Sequence, residues 1–97
     1  MEYEKYIKVV PGSKKSEILI FTLSTCGWCK KTKELLKELG VEYKYIDVDL
    51  LDGKVSEEVT QEVTKWNPLC SFPTVVVNNS KCIVGFDEQK IKEAAGV

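Results

Sequence analysis

Cys26 and Cys29 stand three positions apart around Gly27-Trp28. On a helix, residues i and i+3 share one face, so two sulfurs at that spacing reach disulfide distance without moving the backbone. At a helix start, unpaired backbone N–H groups and the positive end of the macrodipole favour a thiolate over a thiol. Cys26 is therefore expected to be the exposed nucleophile. Cys29, one turn further in, is expected to be a resolving thiol that stays protonated until Cys26 is engaged. Thr25 and Lys30 are expected to support the thiolate, with Lys31 and Lys33 adding positive charge in the same two turns. The competing reading is half of a zinc site. Structural zinc sites typically repeat the pair after a short spacer, whereas Cys70 and Cys82 stand singly and far along the chain. The chain has 0 His, so zinc would need all four cysteines, and Ser-His, Cys-His and His-metal chemistry are excluded. The expectation is a redox pair, with no metal and no bound cofactor beyond the Cys26–Cys29 disulfide itself.

A redox pair works only if the fold places it at the end of a strand and the start of a helix. Residues 17–23 form a short β-branched and aromatic run, suited to a strand buried on both faces. Ser24-Thr25 offer cap chemistry for a helix over residues 26–39, with Leu35, Leu36 and Leu39 as its apolar stripe and Gly40 as its stop. Residues 41–48 read as a second strand. Val55, Val59, Val63 and Trp66 lie on one helical face, and Asn67-Pro68 ends that helix. Residues 74–77 and 81–84 read as antiparallel strands around an Asn78-Asn79-Ser80 turn, and residues 87–95 as a closing helix with Ile91 inward. The order β-α-β-α-β-β-α implies an α/β fold with a four-stranded mixed sheet and helices on both faces. Residues 1–16 read as an N-terminal arm or an extra edge strand, ahead of one domain over residues 17–97.

The chain has 97 residues, 43% hydrophobic and 30% charged, which suits one globular domain. Its net charge of −1 gives no global attraction to nucleic acid or anionic lipid, so neither is expected as a partner. No apolar run approaches the ~18–20 residues of a membrane span, and no signal-like stretch opens the sequence. A cytoplasmic location and a monomer are expected.

Ser71-Phe72-Pro73-Thr74 precedes the third strand. A strand can begin at proline without losing a ladder bond. A tight X-Pro turn also accommodates a cis bond, which would present the Phe72 backbone to an extended substrate beside Cys26. With this motif, the chain resembles the thioredoxin superfamily, in particular its glutaredoxin-like branch of small dithiol redoxins. The resemblance rests on residues 18–23, on Ser24-Thr25-Cys26-Gly27-Trp28-Cys29-Lys30-Lys31, on Ser71-Phe72-Pro73-Thr74, and on Val84-Gly85-Phe86-Asp87. It implies a thioredoxin-like fold, with Cys26 as nucleophile, Cys29 as resolving cysteine and Pro73 as the cis-proline opposite them. The expected substrate-binding set is Trp28, Phe72, Pro73, Thr74, Gly85 and Asp87.

Two departures bear on the substrate. Glutathione-using relatives carry Gly-Gly before the last helix, where this chain has Gly85-Phe86. The Phe86 ring would occupy the tripeptide's space, while Asp87 could cap the helix or meet a substrate amino group. Thioredoxins proper place a buried Asp on the strand before the motif, where this chain has Ile20. The mixture is similar to redoxins that feed ribonucleotide reductase. The resemblance thus implies reduction of protein disulfides, with an upstream disulfide reductase and with ribonucleotide reductase among the partners. The alternatives are a glutathione-dependent glutaredoxin and a metal or iron–sulfur binding module. Among the remaining residues, Trp66, Cys70 and Cys82 are expected to pack, and Asp47 and Asp49 to sit at a solvated strand end.

Overall fold

The computed structural model describes residues 2–96. Its strands are β1 (Lys8–Val10), β2 (Ile18–Thr22), β3 (Tyr43–Asp47), β4 (Thr74–Val77) and β5 (Lys81–Val84), and its helices are α1 (Gly27–Glu38), α2 (Gly53–Trp66) and α3 (Glu88–Ala95). The strands form one sheet in the order β1-β3-β2-β4-β5. Only β2 and β3 run parallel, joined through α1; the other neighbouring pairs are antiparallel.

The central positions of β2 and β4 explain their composition. Strands covered on both faces read as continuous apolar runs, and Thr74, Val75, Val76 and Val77 are all buried. Successive side chains alternate between two cores. Ile18, Ile20, Val75 and Val77 face Leu36 of α1 and Ile91 and Ala95 of α3. Phe21, Ile46 and Val76 face Val59 and Val63 of α2. Helices therefore cover both faces, as the spacing of Val55, Val59, Val63 and Trp66 requires. Among the described residues, no helix is long and apolar enough to cross a membrane.

The N-terminal segment resolves into an edge strand. β1 pairs with β3 in the register Lys8 with Tyr45 and Val10 with Tyr43, making the sheet five-stranded. Ahead of it, a 3-10 turn (Glu2–Tyr6) lays Tyr3 into the α2-side core. The chain then crosses close to Val41. A Cβ at Gly12 would stand 2.6 Å from the Val41 carbonyl carbon, so only glycine fits without a shift. At the β4–β5 turn, Asn78 and Asn79 adopt φ of 53° and 52°. Two successive positive φ angles match the right-handed twist of a tight hairpin, and asparagine tolerates them.

Candidate active site

Cys26 lies at the end of the chain leaving β2, with its backbone still extended (φ −87°, ψ 117°). It is itself the N-cap of α1, which begins at Gly27 rather than at residue 26. Its Sγ accepts the Cys29 N–H at 3.1 Å, the bond a serine or aspartate cap normally takes. Ser24 is used elsewhere: its N–H and hydroxyl both donate to Asp49, tying the loop to the end of β3. The capping role expected of Ser24-Thr25 thus passes to the cysteine. Thr25 is exposed, and no hydrogen bond among the described residues supports a thiolate role for its hydroxyl.

The two thiols differ sharply in environment. Cys26 is half-buried, whereas Cys29 is 0% exposed. Burial pushes the Cys29 thiol up to about 12, and its hydrogen bond with Cys26 adds to the effect. A backbone contact at Leu23 and the Lys33 charge oppose it. Both cysteines are free, and only Cys26 is placed to meet an incoming disulfide.

The raised Cys29 thiol has a consequence for stability. Folded, it holds its proton to about 12, whereas an unfolded cysteine releases it near ~8.5. Between those values the unfolded state binds fewer protons, so reduced protein loses stability as pH rises. The Cys26–Cys29 disulfide form has no such proton. The unfolding temperature of reduced protein should fall relative to that of oxidised protein from pH 8.5 to 10.5. Parallel thermal melts of the two forms check this; a constant gap would contradict it.

Facing α1, the Phe72–Pro73 peptide bond is cis, and the Gly85 N–H donates to the Pro73 carbonyl at 2.8 Å. A cleft of about 250 Å³ opens there, lined by Trp28, Phe72, Pro73, Gly85 and Phe86. The Trp28 and Phe86 rings stack with centroids 5.6 Å apart, and Lys31 Nζ lies 4.8 Å over the indole. Trp28 still leaves 57% of its surface exposed. Phe86, absent from the expected binding set, is therefore a wall of the cleft. Its place after Gly85, where a second glycine would leave the space open, was the signal that could have found it.

Thr74 does not belong to the binding surface, contrary to expectation. It is 0% exposed, and its hydroxyl donates to the Ser71 carbonyl at 2.7 Å. Its backbone is committed to the ladders with Phe21 and Val84. Asn67, 2% exposed, organises this loop. Its amide donates to Ser71 O (3.2 Å), Ser71 Oγ (3.0 Å) and Thr74 Oγ1 (3.1 Å), and its carbonyl accepts the Leu69 N–H (3.2 Å). Asn67→Ala leaves several of these groups without their partner. It should cost ~2–3 kcal/mol of stability, read as a lower urea midpoint; an unchanged midpoint would contradict the assignment. Asp87 caps α3, accepting the Lys90 N–H at 3.1 Å.

The lysines divide by register. Lys30 is exposed, and no ion pair among the described residues includes it. Lys33 points back over β3, with its ammonium 3.3 Å from Asp47 Oδ1 and 4.0 Å from the Tyr45 ring centroid. The Lys33 charge acts on Cys29, opposing the rise that burial causes. Asp47 is more than a solvated strand end, for it also accepts the Thr22 hydroxyl at 2.6 Å. Hydrogen bonds from Ser24 hold the Asp49 carboxyl below its ordinary range.

Trp66 packs against the α2-side core as expected. Cys70 also packs there but is only half-buried, in a left-handed conformation with φ 51°. Cys82 is likewise half-buried rather than enclosed, and desolvation raises its thiol. It lines a larger cavity, about 600 Å³, beside Asn78, Lys81, Lys90 and Glu93 at the opposite end of β4 and β5. Among the described residues, no three Cys, Asp or Glu side chains converge as a metal-holding group.

With this geometry in hand, known proteins offer a direct comparison. A family model described as Glutaredoxin matches residues 18–83. The chain is similar to the crystal structure of methanoredoxin from Methanosarcina acetivorans, with 46% identity, 89% of this chain and 90% of that one covered, and a TM-score of 0.84. Similarity to the glutaredoxin of Methanosarcina mazei Go1 is of the same order: 47% identity, 95% and 89% covered, TM-score 0.86. An uncharacterised glutaredoxin-like 8.6 kDa protein in a rubredoxin operon of Clostridium pasteurianum is 32% identical over 74 residues, 76% of this chain and 91% of its own length.

Proposed function

The chain belongs to the glutaredoxin family, and from that premise we propose that it is a dithiol thiol–disulfide oxidoreductase that reduces protein disulfides. The observation that carries this reading is the asymmetry of the pair: a half-buried Cys26 whose sulfur caps a helix, above a fully buried Cys29 one turn in.

In the first step the Cys26 thiolate attacks one sulfur of the target disulfide. A Cys26–target bond forms, the target S–S bond breaks, and the departing target thiolate takes a proton. In the second step Cys29 loses its proton to solvent and attacks Cys26 Sγ. The Cys26–Cys29 bond forms, the mixed disulfide breaks, and the second target thiolate leaves and is protonated. The target gains two electrons and the pair loses two, so an upstream disulfide reductase must recharge it. The step needs no bound cofactor, because the electrons reside in the two thiols. Trp28, Phe72, Pro73, Gly85 and Phe86 form the surface against which the substrate lies. A protein substrate fits this cleft better than glutathione does, because the Phe86 ring stands against Trp28 at the position of a second glycine.

The test is stoichiometric. Fully reduced protein, mixed with an insulin-type disulfide protein in the absence of glutathione, should reduce one target disulfide per chain and end as the Cys26–Cys29 disulfide. No transfer without glutathione would overturn the protein-disulfide reading in favour of the glutathione-dependent one.

A further inference from the structure

The proposed second step leaves one requirement unmet by the pair itself. Cys29 is enclosed, and its thiol must become a thiolate in the place that most disfavours one. Cys29 has no imidazole to help it, since the chain has 0 His, and β2 offers the apolar Ile20 and Phe21 where an acid could stand. One cation is nevertheless built in. Lys33 follows Cys29 by one helical turn, the i,i+4 spacing that places two side chains on one face.

Its ammonium is fixed rather than free. From β3, the Asp47 carboxylate holds it at 3.3 Å and the Tyr45 ring lies under it at 4.0 Å. The Lys33 and Asp47 side chains are only 23% and 14% exposed, so water screens them less than a surface pair. Asp47 is pinned in turn by the Thr22 hydroxyl at 2.6 Å, and Thr22 is 0% exposed. Among the described residues, the charged and titratable groups that face Lys33 include Cys29 on α1, Tyr45 and Asp47 on β3, and Asp49 just beyond β3.

We propose that Lys33 is a positioning residue for the resolving step, its clamped ammonium stabilising the Cys29 thiolate as that thiolate forms and attacks the Cys26 mixed disulfide. The proposal rests on the dithiol reading above. The step is the one already balanced: the proton goes to solvent, the Cys29–Cys26 bond forms, and the target thiolate leaves. Lys33 exchanges no proton or electron in it. Asp47 keeps the ammonium over this face of α1 instead of letting it extend into water, as Lys30 does.

The test separates the two steps by quench-flow and mass spectrometry. Reduced protein is mixed with the disulfide-linked dimer of a short neutral cysteine peptide, and the Cys26–peptide adduct is followed as it forms and decays to the Cys26–Cys29 disulfide. In Lys33→Gln, adduct formation should persist at the wild-type rate, and a cooperative urea transition reports that the variant folds. Adduct decay should slow about tenfold at pH 7.5, the effect of about one pKa unit on the thiolate fraction. Lys33→Arg keeps the charge and should restore the rate. Decay at the wild-type rate in Lys33→Gln, or failure of arginine to rescue, would overturn the proposal. If wild-type protein itself forms no adduct, or an adduct that never yields the Cys26–Cys29 disulfide, the dithiol reading falls and the role of Lys33 with it.

Discussion

Replacing Cys26 by serine is expected to abolish disulfide reduction, a loss of about 10³-fold or more, because the attacking sulfur is gone and no neighbour can stand in. Cys29 is fully buried, Cys70 packs against the α2-side core, and Cys82 lines a cavity at the opposite end of β4 and β5. The substitution should leave the fold intact. Serine is among the preferred N-cap residues, and the Cys29 N–H that Cys26 Sγ now accepts would find a hydroxyl oxygen instead. A urea midpoint at or above that of wild type, together with lost insulin reduction, would establish that the defect is chemical. Retained reduction would move the nucleophile to another cysteine and undo the assignment.

Cys29→Ser should produce a different failure. Cys26 keeps its place at the helix start, so the first attack proceeds, but nothing within the chain resolves the product. The protein should accumulate as a covalent complex with its target, one target chain per protein, visible on a non-reducing gel and released by dithiothreitol. Turnover on protein disulfides should end after that single event. The glutathione-dependent alternative makes the opposite prediction: with excess glutathione, Cys29→Ser would go on turning over glutathionylated substrates, because glutathione supplies the second thiol. Sustained turnover of that kind would favour the alternative. It would also recast the Trp28–Phe86 stack as a surface that opens for the tripeptide.

Much of this architecture was legible in the sequence because burial on two faces leaves a direct mark. β2 and β4 read as strands since residues covered on both sides are apolar at almost every position, and α2 read as a helix from the spacing of Val55, Val59 and Val63. The N-terminus was harder. β1 has three residues and an exposed lysine, and the 3-10 turn before it is held by Tyr3 packing under α2, a contact no local pattern announces. The helix cap was misassigned for a chemical reason. Serine and threonine lead the capping preferences, so Ser24-Thr25 attracted the role, while a sulfur in the cap position does the work. Which lysine is clamped was also beyond local reading. Lys30, Lys31 and Lys33 look alike in one dimension, and only the register of α1 over β3 brings Asp47 and Tyr45 to Lys33. Thr74 shows the converse. Its place beside Pro73 suggested the binding surface, yet its bonds with the buried Asn67 amide and the Ser71 carbonyl turn its hydroxyl inward.

The central claim is that Cys26 and Cys29 form one reversible two-electron couple while Cys70 and Cys82 stay outside it. Equilibration in dithiothreitol buffers of graded potential, followed by thiol alkylation and mass spectrometry of the peptides, reads this directly. The account predicts a single two-electron transition in which Cys26 and Cys29 lose their alkyl labels together and appear as a linked pair, with Cys70 and Cys82 labelled throughout. A transition that pairs either cysteine with Cys70 or Cys82, or no Cys26–Cys29 disulfide at any potential, would contradict it.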